Sequence, residues 1–223
     1  MSEPIRPLLL GHRGARSVQS IPENTMESFD RALLDGCDGF EFDVRLTADG
    51  QAVICHDAQS GGFEIARASV AQLRNLPRLE DVLSRYQERA FLDIELKVGG
   101  LEKITMALLR RNRPLRGFVI SSFLPGVLLA IRMEDENVPL GLICESGTEL
   151  LRWNELPVEY VIPHYKLLTS SLGMELKGAG KKILVWTVND PAAMTRFQDL
   201  GVDGIISDET ELLCQTLSEK NRG

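Results

Sequence analysis

The sequence has no apolar run long enough to cross a membrane. Its longest apolar stretches fall well short of the roughly 20 residues that a transmembrane helix needs. The opening MSEPIRPLLLGHRG contains only the short run Leu8 to Leu10 and does not resemble a signal peptide. We therefore expect a cytoplasmic protein without stable membrane insertion.

Cysteine and histidine are scarce, and positive charge is outweighed by negative charge. The four cysteines, at positions 37, 55, 144 and 214, have no metal-site spacing, so we expect reduced core residues and neither disulfides nor a zinc site. The formal net charge of −7 argues against nucleic acid or an anionic membrane as a partner. The sequence leaves the oligomeric state open.

What the sequence does contain is a regular alternation of short apolar runs with amphipathic segments. No linker or low-complexity segment interrupts it, so we predict one domain over residues 1–223. Strands alternating with helices predict a parallel sheet, and eight such repeats close into a (β/α)₈ barrel. The runs are PLLLG (7–11), GFEFDV (39–44), QAVICH (51–56), AFLDIEL (90–96), GFVISSF (117–123), VPLGLIC (138–144), EYVIPHY (159–165), KILVWTV (182–188) and DGIIS (203–207).

The second and third of these nine runs are too close together for a parallel crossover, which needs a dozen or more residues. We therefore predict an antiparallel hairpin turned at Asp49-Gly50. A two-residue turn there places His56 opposite Asp43, and a turn one residue earlier places it opposite Glu41. Because side chains alternate faces along a strand, either register gathers the two acids and the histidine on one face.

A third carboxylate comes from LDIELK, where Asp93, Glu95 and Lys97 share one face of a strand. We expect this strand to be central and buried, which places Glu95 beside Glu41 and Asp43. Three carboxylates without a soft ligand suit one hard divalent cation, Mg²⁺ or Ca²⁺. Zinc is disfavoured because no cysteine or histidine spacing supports it.

Positive charge is predicted beside these acids. His12 and Arg13 directly follow the first run, at the strand end where barrel enzymes carry their active sites. Arg13 and Lys97 would then flank the cation site. Such an arrangement suits a phosphate group, which the metal and both cations can hold.

These residues lie within motifs that resemble the glycerophosphodiester phosphodiesterase family. The resemblance rests on HRGA (12–15) and IPENTMESFDRALLDGCDGFEFDVRLTADGQAVICHD (21–57), and later on IELK, SSF, VWTVND and GVDGIISD. It covers almost the whole chain. It implies a TIM barrel that hydrolyses glycerophosphodiesters to an alcohol and sn-glycerol 3-phosphate, as a metal-dependent small-molecule hydrolase.

The resemblance also implies a role for each candidate residue. By this resemblance, the metal ligands are Glu41, Asp43 and Glu95. The acid–base pair is His12 and His56, and the phosphate contacts are Arg13 and Lys97. The sequence leaves open which histidine is the acid, and whether water attacks directly or after a cyclic phosphate has formed.

Other residues have a structural interpretation as well as a functional one. Trp186 is a candidate contact to the glycerol or alcohol group, with a core position as the alternative. Asn24 and Glu27 fit a helix N-terminal cap, although the resemblance places Glu23 and Asn24 near the site. The roles of His164, Ser122 and Asp57 stay open: for the histidine a structural or rim position is favoured over substrate contact, and the aspartate either orients His56 or caps a loop.

One feature departs from the family pattern. Between His56 and Glu95 the family usually carries an inserted lobe, whereas here the segment has room for about two short helices. Without such a lobe, it is open how the protein selects the alcohol group of its substrate. Two other functions remain alternatives: a cyclising phospholipase-D-like lyase acting on lysophospholipids, and a non-catalytic phosphodiester-binding module.

Overall fold

The apolar runs form strands that are buried on both faces, which is why they read as continuous hydrophobic stretches. The computed structural model describes residues 6–219, so both ends of the predicted domain 1–223 lie outside the described residues. In chain order the strands are β1 Leu8–His12, β2 Gly39–Leu46, β3 Ala52–Ile54, β4 Gln59–Ser60, β5 Phe63–Glu64, β6 Phe91–Leu96, β7 Phe118–Ser122, β8 Leu140–Cys144, β9 Tyr160–Pro163, β10 Lys182–Val185 and β11 Gly204–Ser207.

Eight of these strands are parallel and close into a barrel. Their order around the barrel is β1, β2, β6, β7, β8, β9, β10 and β11, and β11 pairs with β1 to complete the ring. The predicted (β/α)₈ barrel is therefore confirmed. The helices are α1 Met26–Leu34, α2 Leu79–Tyr86, α3 Glu102–Arg111, α4 Pro125–Glu134, α5 Gly147–Leu150, α6 Ser170–Gly178, α7 Pro191–Leu200 and α8 Thr210–Glu219.

The predicted hairpin is present, but its register is not the predicted one. Strand β3 runs antiparallel to β2, with Val44 paired to Ile54. The N–H of Cys55 donates to the carbonyl of Asp43 at 3.0 Å, so Cys55 and not His56 lies opposite this acid. The register is one residue away from both predicted alternatives.

The turn itself explains the shift. Residues 47–51 form a loop in which the Thr47 hydroxyl accepts a hydrogen bond from the N–H of Gln51 at 2.9 Å and donates to Asp49 at 2.6 Å. This side-chain network replaces the predicted two-residue turn. His56 still reaches the barrel rim, because β3 ends at Ile54 and the chain bends after it.

The N-terminal cap of helix α1 lies one residue later than predicted. Thr25 is the N-cap, and its hydroxyl accepts from the N–H of Ser28 at 3.2 Å. The cap prediction for Asn24 is therefore wrong. On this helix Phe29 is fully buried, whereas Leu34 is 82% exposed because it lies five residues on, well round the helix.

The segment between His56 and β6 contains no sizeable lobe. It holds the two-stranded ribbon β4–β5, a 3₁₀ turn at Ile65–Arg67 and helix α2. Of the two short helices that the sequence has room for, only one is an α-helix, and the ribbon was not foreseen.

An aromatic cluster holds β2 in place from outside the barrel. Phe29 stacks on Phe40 with 4.2 Å between ring centroids, and Tyr86 contacts Phe40 edge-on at 4.9 Å. The opposite face of β2 carries the two acids Glu41 and Asp43. Helices α1 and α2 thus fix the strand that presents these two acids.

The four cysteines are free thiols, with Cys37, Cys144 and Cys214 buried and Cys55 half-buried. Within residues 6–219, none of the helices combines the length and apolarity that crossing a membrane requires.

Candidate active site

A cavity of about 340 Å³ opens at the carboxyl ends of the barrel strands. This is the end at which parallel barrels place their functional groups, since the strands point their last side chains there. All the predicted site residues line it except Asp43, which lies buried beneath. The lining consists of His12, Arg13, Glu41, His56, Asp93, Glu95, Lys97, Phe123, Ile143, Glu145, Ile162, Trp186 and Ile206.

Three carboxylates meet at one side of this cavity, as predicted. Glu41 and Asp43 point inward from β2, and Asp43 lies beside Glu95 in the register of β2 with β6. One oxygen from each of the three lies within 4.8 Å of the others. Their relative exposures are 5%, 1% and 7%, so solvent contributes little to balancing their charge.

Two cations balance this charge in part. The Lys97 ammonium lies 2.8 Å from Glu95 Oε1 and 3.1 Å from Asp43 Oδ1. Arg13 places its Nε 3.2 Å from Asp43 Oδ2, and its backbone N–H donates to Glu41 Oε2 at 3.0 Å. Arg13 and Lys97 are therefore both brought to the acids, as the sequence predicted.

Asn24 also contacts the acids instead of capping the helix. Its side-chain amide donates to Asp43 Oδ2 at 2.8 Å, and its backbone has a φ of 58°. Glu23 beside it accepts from Arg13 at 2.8 Å. The placement of Asn24 near the site, implied by the resemblance, is the interpretation that the geometry favours.

Burial and mutual repulsion set the protonation of the acids. Burial, with Asp43 and Glu95 nearby, raises the pKa of Glu41 well above its ordinary value. Burial and Asp43 raise the pKa of Glu95 to about 7. Burial would also raise the pKa of Asp43, but Lys97 and Arg13 outweigh it and leave that pKa lowered. The cluster thus lacks positive charge, which a divalent cation can supply.

Several oxygens of these acids have lone pairs free to bind such a cation. Glu41 Oε1 is buried and accepts no hydrogen bond from the described residues. The inward oxygens of Asp43 and Glu95 face Lys97 as ion pairs but lack hydrogen-bond geometry. Carboxylate oxygens of this kind fit Mg²⁺ or Ca²⁺.

Asp93 also lines the cavity, level with Glu41 in the register of β2 with β6, and it has a hydroxyl partner. The Ser121 hydroxyl donates to its Oδ1 at 2.5 Å, and burial raises its pKa to about 7. Asp93 is therefore not one of the three residues whose oxygens converge.

The two candidate histidines sit in different surroundings. His12 is buried at the end of β1, with its Nε2 3.8 Å from Glu41 Oε2 and its Nδ1 2.7 Å from Asp208 Oδ1. His56 is 36% exposed at the cavity mouth, with its Nδ1 2.8 Å from Asp57 Oδ1. Of the open roles for Asp57, contact with His56 is the one observed.

Sequence reasoning missed Asp208, although a signal was present. Asp208 follows β11 directly and His12 is the last residue of β1, and these two strands are neighbours once the barrel closes. An acid at that position therefore had to lie near His12. Glu145, which follows β8 and lines the cavity, was also missed.

Apart from Glu145, the opposite half of the rim is apolar. Trp186 and Phe123 meet edge-on with 5.7 Å between centroids, and the indole N–H donates to the Ile162 carbonyl at 3.0 Å. His164 packs against Trp186 at 5.4 Å and does not line the cavity. Ser122 is buried and donates to the Leu96 carbonyl, which is a structural contact.

Comparison with known proteins gives a consistent result. The model of the glycerophosphoryl diester phosphodiesterase family matches residues 12–212. A glycerophosphodiester phosphodiesterase from Caldanaerobacter subterraneus is 28% identical, over 94% of this chain and 97% of that protein.

Solved structures agree on the fold. A glycerophosphodiester phosphodiesterase from Parabacteroides distasonis superimposes with a TM-score of 0.84 at 25% identity, over 97% of this chain and 98% of that one. An Oleispira antarctica phosphodiesterase, solved with the product sn-glycerol-3-phosphate, gives 0.84 at 24% identity, over 96% and 97%.

Proposed function

The chain belongs to the glycerophosphoryl diester phosphodiesterase family, and we propose that it hydrolyses glycerophosphodiesters to an alcohol and sn-glycerol 3-phosphate. The observation that carries the proposal is the meeting of three buried carboxylates, two cations and two histidines at one cavity. A catalytically inactive relative would be expected to lack one of these groups, and here all of them are in place.

We further propose that Glu41, Asp43 and Glu95 hold one divalent cation, Mg²⁺ or Ca²⁺. The support is the set of three converging carboxylate oxygens, with Glu41 Oε1 left without a hydrogen-bond donor among the described residues. When bound, such a cation polarises a phosphoryl oxygen and stabilises the negative charge of the transition state.

Arg13 and Lys97 are proposed to bind the phosphodiester itself. Both cations lie at the cavity wall beside the acids, with their side chains mostly buried. The phosphate oxygens gain charge as the ester bond breaks, and fixed cations stabilise that charge without rearranging. Trp186 and Phe123 provide an apolar surface for the carbon atoms of the substrate.

His12 and His56 are proposed to move the protons. One accepts the proton of the attacking hydroxyl or water, and the other protonates the alkoxide that leaves. Both histidines line the cavity that the acids and the two cations share, which supports their role in proton transfer.

The experiment is phosphorus NMR on sn-glycero-3-phosphocholine with Mg²⁺ or Ca²⁺, with a chelator as the control. We expect the diester signal to be replaced by that of glycerol 3-phosphate, and choline to be released in equal amount. No turnover of any glycerophosphodiester would point to the binding module. A cyclic phosphate as the final product from a lysophospholipid would point to the lyase.

A further inference from the structure

Asp208 contacts the ring nitrogen of His12 that lies away from the acids. The distance from His12 Nδ1 to Asp208 Oδ1 is 2.7 Å, while Nε2 is directed toward Glu41 at the cavity wall. An ionised carboxylate can only accept a hydrogen bond, so Nδ1 must carry the proton. In the neutral ring, this leaves the lone pair on Nε2, facing the cavity.

Asp208 is itself held in place from two sides. The Asn189 amide donates to its Oδ2 at 2.7 Å, and Arg16 donates to its Oδ1 at 3.2 Å. Asn189 also accepts from the backbone N–H of Asp208 at 2.9 Å and from the Ser207 hydroxyl at 3.0 Å. A carboxylate with this many donors has little rotational freedom.

The hydrogen bonds also keep Asp208 ionised. Its burial favours the neutral acid, but the contacts with His12, Asn189 and Arg16 outweigh burial and lower its pKa. The acceptor in the contact with His12 is therefore a full carboxylate, as the tautomer argument requires.

We propose that Asp208 is a positioning residue for His12, holding the imidazole with Nδ1 protonated and Nε2 toward the reacting phosphodiester. Asn189 and Arg16 act one step further away by fixing the carboxylate. The consequence for turnover depends on the hydrolysis proposed above, whereas the tautomer of His12 does not.

The tautomer can be measured on the wild-type protein. The chain has only three histidines, so ¹⁵N-histidine NMR with single His→Gln variants assigns each ring. We expect neutral His12 to show a protonated Nδ1 and an unprotonated Nε2. The reverse pattern would overturn the proposal, and this reading needs no activity.

Kinetics of Asp208→Asn test the consequence. In Ser-His-Asp triads the corresponding change lowers turnover by about 10⁴-fold because the wrong tautomer is favoured. Here we expect at least a roughly 10²-fold loss in kcat, with KM and cation affinity within about threefold of wild type. We also expect the ¹⁵N signals of His12 to move toward the other tautomer.

Two comparison variants separate positioning from a general loss of charge. Glu209→Gln removes a neighbouring acid that, within residues 6–219, has no hydrogen bond or ion pair with His12, and we expect kcat within about twofold of wild type. Asn189→Ala should lower kcat less than Asp208→Asn does. Equal losses in Asp208→Asn and Glu209→Gln, or wild-type turnover in Asp208→Asn with an unchanged tautomer, would refute the proposal.

Discussion

Replacing Lys97 with Met should change cation binding and turnover in opposite directions. Without a divalent cation, the Lys97 ammonium is the positive charge shared by Glu95 at 2.8 Å and Asp43 at 3.1 Å. A cation bound to the same oxygens takes over part of this role and repels the ammonium. Methionine keeps an apolar chain beside Phe123, whose ring centroid lies 5.8 Å from the ammonium.

The size of the effect follows from these contacts. Two unit charges about 4 Å apart attract by about 4 kcal/mol at an effective dielectric constant of about 20, so an ion pair this close contributes several kcal/mol before desolvation is subtracted. Losing one such contact from the metal-free state should tighten cation binding by at least roughly tenfold, since 1.4 kcal/mol is a factor of ten. Turnover should fall by about 10²–10³-fold, the range seen when one fixed donor to a developing negative charge is removed.

The assay combines calorimetric titration with Mg²⁺ or Ca²⁺ and steady-state kinetics on sn-glycero-3-phosphocholine. Lys103→Met, at an exposed position of α3, is the matched control and should leave both quantities unchanged. Weaker cation binding in Lys97→Met would show that the lysine helps to build the cation site. Unchanged turnover would show that it does not contact the phosphate.

Three further changes test other parts of the site. His12→Ala and His56→Ala should each lower turnover by about 10²–10⁴-fold while cation affinity changes little, and near wild-type turnover in either variant would make that histidine structural. Burial raises the pKa of Glu95 to about 7, so protons should compete with the cation. As the pH drops below about 7, the affinity for the cation should fall, and calorimetry in buffers of different ionisation enthalpy should show that cation binding releases protons. A cation affinity that stays the same from about pH 6 to pH 8 would contradict this. Asn24→Gly keeps the φ of 58° accessible but removes the amide that donates to Asp43, and it should lower the free energy of unfolding by about 1–3 kcal/mol in denaturant titrations. Asn24→Ala adds backbone strain and should cost more, and equal stability in all three proteins would refute the argument.

The sequence was sufficient for the barrel and for the residues that strands place at the rim. All nine apolar runs form strands, because burial on both faces leaves a hydrophobic pattern that polar loops interrupt. Glu41, Asp43, Glu95 and Lys97 converge because strand alternation and parallel register fix where they point.

The two predictions that were wrong, the hairpin register and the helix cap, both depended on loops. The register of the β2–β3 hairpin was wrong because the Thr47 hydroxyl builds a longer turn than the Asp49-Gly50 pair suggests. Asn24 and Glu27 fit the capping pattern, but Thr25, one residue on, has the same capping chemistry and is the observed cap. In both cases a side-chain hydrogen bond shifted the chain by one residue, which periodicity cannot detect.

The contact between His12 and Asp208 was missed for a different reason. These residues are 196 positions apart, and they meet only because the last strand pairs with the first. The closed ring was itself a prediction, so the pairing could have been drawn from it by placing the last strand's terminal acid beside the first strand's terminal histidine.

The most direct test of the account is turnover of sn-glycero-3-phosphocholine by protein stripped of divalent cations, followed by titration with Mg²⁺ or Ca²⁺. The account predicts no measurable turnover without the cation, recovery in the wild-type protein, and no recovery in Glu41→Gln even though that variant stays folded. Full turnover by the stripped protein, or full recovery in Glu41→Gln, would contradict the claim that these carboxylates hold a cation required for hydrolysis.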